Sequence, residues 1–176
     1  MVIGARQEFW NSRNGFLYNF RTNDIQDHSN RSESRFSPKF SVGYTADTDW
    51  LFRYSIAKAY RFPIVEELFA YESNTVGTAL ADVTLEPEDG LHHNLMFQRN
   101  IDDGNGYVRL NLMYEEVDNV IFIQSGTVDN ILIRTFLPVS EVTTKGAELV
   151  FTQKNLLDSN LDLRFNLTLM DSEITQ

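Results

Sequence analysis

Trp50-Leu51-Phe52-Arg53-Tyr54-Ser55-Ile56-Ala57-Lys58-Ala59-Tyr60-Arg61-Phe62-Pro63 decides how this chain is read. Trp50, Phe52, Tyr54, Ile56 and Tyr60 fall on one side of an extended backbone, and Arg53, Ser55, Ala57 and Ala59 on the other. A period of two with one apolar face is the mark of a strand. Pro63 has no N–H for a sheet ladder and restricts the residue before it, so the strand is expected to end at Arg61-Phe62 and give way to a loop.

The same alternation recurs on both sides of this stretch. Ile3, Ala5 and Phe9 against Gly4, Arg6 and Glu8 predict a strand over residues 2 to 10, with Gln7 interrupting its apolar face. Phe36, Pro38, Phe40, Val42 and Tyr44 predict the next, joined to Trp50 by a tight turn over Ala46 to Asp49. Leu91, His93, Leu95 and Phe97, then Val108, Leu110, Leu112 and Tyr114, give two more, the latter running on through Val120 and Phe122. A segment rich in Ser, Gly, Thr and Asp follows and folds back as a hairpin through Ile131 and Ile133. Ala147, Leu149 and Phe151 precede a short turn at Asn155 to Asn160, and the last strand carries Leu161, Leu163, Phe165, Leu167 and Leu169.

About seven strands result, and their connections alternate long and short. Asn11 to Arg35 reads as a loop of about 25 residues, a length uncommon inside a compact soluble domain. A second excursion runs from Pro63 to about Pro87, with Ile64, Val65, Leu68 and Phe69 at helical spacing for one or two turns. Short turns at one end and long loops at the other are the habit of outer-membrane barrels, in which strands of roughly 10 residues alternate lipid-facing and lumen-facing side chains. Tyr44, Trp50, Phe52, Phe97 and Phe151 gather near the short-turn end, and Phe9, Phe36, Tyr60 and Tyr114 near the other, as two aromatic girdles would. The opposite face carries Arg53, Arg109, Arg164, Glu115 and Glu148. Lys58 and Lys145 are the chief charges on the apolar face, both near the outer rim. The expected fold is therefore all-β: an antiparallel up-and-down transmembrane β-barrel segment of about seven meandering strands.

Composition agrees. Of 176 residues, 42% are hydrophobic and 12% aromatic, with 13 Phe and 7 Tyr at alternating positions, which favours sheet. No stretch approaches the roughly 18 apolar residues of a membrane-spanning helix. A net charge of −10 leaves no basic stripe for phosphate, so nucleic acid is not an expected partner. With no cysteine there is neither a disulfide framework nor a thiolate metal site. Met1 to Arg6 lacks the charged-then-apolar pattern of a signal peptide.

Candidate chemical motifs fail on geometry. His92-His93 are adjacent on a strand and point to opposite faces, so they cannot share an ion. Asp102-Asp103-Gly104-Asn105-Gly106 lacks the later bidentate Glu of a calcium loop and reads as a turn. Neither Glu66-Glu67 nor Glu115-Glu116 places two carboxyls about one reacting bond. Asn30-Arg31-Ser32 and Asn166-Leu167-Thr168 match a glycosylation triplet, the latter in mid-strand. No catalytic, metal or cofactor residue is therefore assigned, and the chain is not expected to be an enzyme. Arg61, with the loop it opens, is the candidate for a ligand-facing rim.

Several motifs in order resemble the barrel of TonB-dependent outer-membrane receptors. They are Phe36-Ser37-Pro38-Lys39, the Thr48-Asp49 turn, Tyr60-Arg61-Phe62-Pro63 with Glu67-Leu68-Phe69, Leu85-Glu86-Pro87-Glu88, Asp118-Asn119-Val120-Ile121, Lys145-Gly146-Ala147-Glu148-Leu149, and Leu167 to Ile174. The resemblance implies a barrel of about 22 strands with a plugged lumen, of which this chain would supply about a third. It implies a partial barrel domain over residues 1–176 without the plug domain or the segment that engages the TonB complex. An unclosed run of strands would leave unpaired backbone in lipid, so this portion is not expected to span a membrane alone. The implied role is active uptake of an iron–siderophore complex or similar large, scarce nutrient across the outer membrane of a Gram-negative bacterium. The partners it implies are outer-membrane lipid, the plug domain of the full receptor, the TonB complex and the nutrient ligand. Two alternatives remain, a passive porin or adhesin-type barrel and a soluble β-sandwich that binds glycans.

Overall fold

In a computed structural model of the protein, the alternating segments pair into one curved sheet. The structure describes residues 1–19, 23–69, 71–73, 77–101, 103 and 105–175. In chain order the elements are β1 (Val2–Ser12), β2 (Phe16–Asn19), β3 (Asp24–Asp27), β4 (Arg31–Ala46), β5 (Trp50–Arg61), α1 (Val65–Phe69), β6 (Tyr71–Ser73), β7 (Gly77–Leu80), β8 (Glu88–Ile101), β9 (Gly106–Val128), β10 (Ile131–Gln153) and β11 (Leu163–Thr175), with one 3-10 turn at Leu156–Asp158. Seven long strands, β1, β4, β5, β8, β9, β10 and β11, pair antiparallel in that order, each with the next. The sheet is open, as expected of part of a barrel. Among the described residues no helix is long and apolar enough to cross a membrane, which says nothing of crossing by strands.

Side chains are distributed inside out relative to a soluble domain. Tyr44 is 66% exposed, Phe165 51% and Leu169 64%, all on the face the period of two assigns to lipid. Among the described residues the buried large apolar side chains are Leu68 at 3%, Leu85 at 1% and Met96 at 6%. A sandwich would need a second sheet over the apolar face. The only other sheet among the described residues is the β2–β3 hairpin, so the glycan-binding sandwich is set aside.

The register shows how the sheet would sit in a bilayer. Phe40, Ile56, His93, Tyr114, Lys145 and Asp171 lie opposite one another in sequence across the ladders from β4 to β11. The outward apolar run reaches Phe36 on β4, four residues beyond that line toward the long-loop end, but stops at Leu169 on β11, two residues short of it. Across five strand steps the apolar edge slides by about six residues, which at a rise of about 3.3 Å and a strand spacing of about 4.8 Å is a tilt of roughly 40°. Membrane barrels tilt their strands by about 35–45°. The short-turn girdle is packed: Trp50 stacks on Phe52 at 5.9 Å and Phe52 meets Phe97 edge-on at 5.8 Å.

Two loop readings need correction. The connection read as a loop from Asn11 to Arg35 is shorter, because β1 runs to Ser12 and β4 starts at Arg31, with β2 and β3 between them. Asn11↔Ser32 and Ser12↔Arg31 pair although neither alternates apolar and polar. Beyond the apolar band both faces can be wet, and the ladder needs only backbone. The Ser/Gly/Thr/Asp segment after Phe122 folds back as the expected hairpin through Ile131 and Ile133, with β9 running to Val128 and β10 starting at Ile131. Asp129 (φ 51°) and Asn130 (φ 63°) make the whole turn, two left-handed residues of the kind that match strand twist. The excursion after Pro63 holds α1 as expected, but also β6 and β7, and β7 pairs in parallel with Leu132–Thr135 of β10. Leu161 precedes the last strand, which begins at Leu163. Asp102 and Gly104 of the acidic turn lie outside the described residues.

Candidate functional site: the polar face and its outer rim

Even-numbered residues of β1 and odd-numbered residues of β4 share the polar face, so Glu8, Trp10, Arg31, Glu33 and Arg35 stand together near the long-loop end. They form a charged network. Glu33 accepts from Arg31 at 2.6 Å and from Arg35 at 2.8 Å, one oxygen for each. The Arg31 guanidinium lies over the Trp10 ring at 5.6 Å. Its Nη1 donates to the carbonyls of Val83 (2.7 Å) and Leu85 (2.9 Å). The return of the Pro63–Pro87 excursion is thereby held against the polar face, and Leu85 becomes the most buried residue of the core.

Arg61 closes the other side of this rim. It ends β5 directly opposite Glu88, the first residue of β8. Nε donates to Glu88 Oε2 at 2.8 Å and Nη2 to Oε1 at 2.7 Å, a two-pronged pairing that Lys could not make. Nη1 donates to both oxygens of Glu67 in α1, at 3.0 and 3.1 Å. Glu67 Oε2 also accepts the backbone N–H of Ile64 at 2.9 Å, and Glu88 Oε1 that of Ile121 in β9 at 2.9 Å. One guanidinium thus ties β5, α1, β8 and β9. Hydrogen bonding to Glu88, with Glu67 adding to it, raises the Arg61 pKa against the opposite pull of burial. Burial pushes the Glu88 carboxyl up, but Arg61 and the Ile121 N–H outweigh it and hold that carboxyl below the ordinary range.

Between the end of β1 and α1 lies an open cleft of about 800 Å³. Trp10, Phe16, Phe62 and Phe69 supply its aromatic walls, and Arg13 and Glu66 its charges. Trp10 and Phe62 are nearly parallel, 4° apart with centroids 6.0 Å apart. A cleft of this make-up offers flat apolar contact and a charged margin, the usual composition of a small-molecule site.

Farther toward the short turns the polar face holds the residues singled out from sequence. Arg109 finds a neutral partner instead of a carboxylate, donating to Gln98 Oε1 from Nε (2.9 Å) and Nη2 (2.7 Å). Glu148 accepts from Asn111 at 2.7 Å, and Glu115 meets His92 Nδ1 at 2.8 Å. Arg53 and Arg164 make no hydrogen bond or ion pair among the described residues. His93 bonds to the Tyr54 hydroxyl at 2.7 Å on the apolar face, so the two histidines are divided between faces as alternation requires. On that outer face Lys58 pairs with Asp89 at 2.9 Å, and Lys145 lies over the Tyr114 ring.

Sequence reasoning named Arg61 but not the two carboxylates that hold it, nor the Arg31–Glu33–Arg35 network, which fell in residues read as loop. A signal for the first was present. Arg61, Glu67 and Glu88 all belong to the motifs quoted for the family resemblance, and charged motif residues where strands leave a membrane invite pairing.

Comparison with known proteins bears on the whole sheet. No curated protein matches the sequence. Residues 1–175 match the family described as TonB dependent receptor-like, beta-barrel. Among solved structures, a mutant of the ferric enterobactin receptor from Pseudomonas aeruginosa aligns with 80% of this chain at 19% identity and a TM-score of 0.61. A double mutant of the Serratia marcescens hemophore receptor, solved with its hemophore and heme, aligns with 95% at 14% identity and a TM-score of 0.65. At such identities the likeness is one of fold. The chain spans 23% and 29% of the length of these two receptors. The family is one of outer-membrane transport receptors. With its strand order, its two-faced register and a family match over nearly every residue, the chain belongs to the TonB-dependent receptor β-barrel family.

Proposed function

We propose that this chain is wall and outer rim of an active importer, one that takes up an iron–siderophore complex or a similarly large, scarce nutrient with energy from the TonB complex. The family match over residues 1–175 is the observation that carries the reading. Solved relatives named for ferric enterobactin and for a hemophore with heme support a large iron-bearing cargo. In this reading the apolar band meets outer-membrane lipid of a Gram-negative cell. The plug domain of the same receptor sits against the polar face, where Arg53 and Arg164 are available for its carboxylates. The TonB complex is engaged through the N-terminal part of the receptor. Arg61 and the loop it opens form the ligand-facing rim, with Arg61 fixing the loop's base and the Trp10–Phe69 cleft offering contact surface. Cargo binds from outside, and rearrangement of the plug then lets it pass; no enzymatic step is involved.

The test is uptake by cells whose only iron receptor is the full-length protein. Radioiron is supplied as ferric enterobactin, ferric citrate or heme, with and without functional TonB. Saturable uptake of one form that disappears without TonB is expected. Uptake that is unchanged without TonB would mean a passive pore and would overturn the proposal.

A further inference from the structure

The geometry points to a latch: Arg61, Glu67 and Glu88 keep the strap of residues 62–69 folded inward over the polar face, and the latch opens at its Arg61–Glu67 arm while its Arg61–Glu88 arm stays closed. The two arms are built differently. Arg61 and Glu88 are direct cross-strand partners, joined by two separate N–H donors. Glu88 is pinned further by the Ile121 N–H. That arm lies within the wall itself, and three strands would have to move to break it. The Glu67 arm rests on one nitrogen, Nη1, which contacts both carboxylate oxygens at 3.0 and 3.1 Å. Those contacts are longer than the 2.8 and 2.7 Å bonds that two separate nitrogens make to Glu88, so this arm yields first.

The strap is made to move as a unit. Its helix, Val65–Phe69, has five residues and cannot persist on its own propensity. Glu67 accepts the Ile64 N–H at its start, a cap that survives when Arg61 lets go. The pivot falls at Phe62-Pro63-Ile64. Pro63 carries no N–H, so no ladder bond opens there, and with its φ fixed the swing is taken up by the backbone angles of Phe62 and Ile64 on either side. The remaining attachments are one backbone hydrogen bond, Asp82 N to Glu67 O at 2.9 Å, the packing of Leu68, and two ring contacts, Phe62 on Trp10 and Phe69 against His28 at 5.5 Å, which can slide without breaking a hydrogen bond. The return segment is anchored separately through Arg31 to the Val83 and Leu85 carbonyls. The strap can therefore swing while its return stays on the wall, and the cleft lined by Phe62, Leu68 and Phe69 changes width as it does.

This inference does not depend on what the receptor carries. It is tested in the full-length receptor in detergent, with spin labels at Val65→Cys on the strap and Ile123→Cys on β9, both exposed positions. Pulsed electron–electron resonance gives the distance distribution between them. Glu67→Gln is expected to add a population at longer distance, and Glu173→Gln, an exposed position on β11 outside the latch, to leave the distribution unchanged. Folding of each variant is checked by the heat-dependent gel mobility of the barrel. Should Glu67→Gln not fold, Arg61→Lys keeps a charge for Glu88, loses the second arm and is expected to give the same shift. A folded Glu67→Gln receptor, or in its place a folded Arg61→Lys receptor, with the parent's distribution would overturn the latch.

Discussion

Arg61 and Glu88 face each other across the β5–β8 ladder through two parallel hydrogen bonds of 2.8 and 2.7 Å, at the level where both strands leave the apolar band. The pair is partly exposed, so its Coulombic term is screened and its value lies in the geometry of the fork. Arg61→Ala strands Glu88 and the largely buried Glu67 with only backbone partners, a loss of about 1–3 kcal/mol of stability. A lower denaturant midpoint for the full-length receptor is expected. Arg61→Lys should recover only part of it, since an ammonium cannot serve both oxygens of Glu88 together with Glu67.

Acid should loosen the same corner. The Glu88 carboxyl in the folded protein titrates below its unfolded value, so its contribution is fully present above the ordinary carboxylate range and lost as pH falls through the folded value. Stability measured against pH is expected to decline on acidification in the parent. The decline should be shallower in Glu88→Gln, which has no proton to gain, and a variant curve parallel to the parent's would remove Glu88 from the cause.

The strand pattern was legible in the sequence within the apolar band. From Phe36 to Tyr44, and from Val108 to Tyr114, every second side chain must be apolar, and those strands stand where alternation puts them. Legibility ends at the membrane edge. Asn11, Ser12, Arg31 and Ser32 continue β1 and β4 with no alternation, because water satisfies either face, and sequence reasoning left them in a loop. The β9–β10 hairpin was expected from Ile131 and Ile133, but not how tight its tip is. Its two-residue turn depends on left-handed Asp129 and Asn130, residues that also populate ordinary loops. As for the rim, alternation placed Arg61 at a strand end, but that Glu67 and Glu88 converge on it depends on a fold-back of more than 20 residues, which no local period encodes.

Depth in the band can be read from β9. Leu112 lies opposite Leu95 and Ala147, between the Phe97 girdle and Tyr114, whereas Leu91 lies opposite Lys58 and Glu116 at the upper edge of the apolar face. Leu112→Arg should destabilise the receptor in a bilayer by about 2–4 kcal/mol and Leu91→Arg by about 0–1 kcal/mol. Equal losses in vesicle refolding titrations would place the band elsewhere.

The β9–β10 turn is a test of backbone strain alone. Asp129 and Asn130 both hold positive φ, and neither side chain makes a hydrogen bond among the described residues, so their value to the hairpin is conformational. A β-branched residue there pays the left-handed penalty without relief, about 1–2 kcal/mol at each position, while Gly removes it. Asn130→Gly is expected to leave the hairpin as resistant to protease as the parent or more so. Asp129→Val with Asn130→Val should open the turn to cleavage between Val128 and Ile131, leaving the barrel's heat-dependent mobility unchanged, since the strands below Tyr114 and Lys145 lie many residues from the tip. Loss of that mobility would mean that the projecting hairpin supports the wall, and that the parallel contact of β7 with Leu132–Thr135 carries load into the barrel.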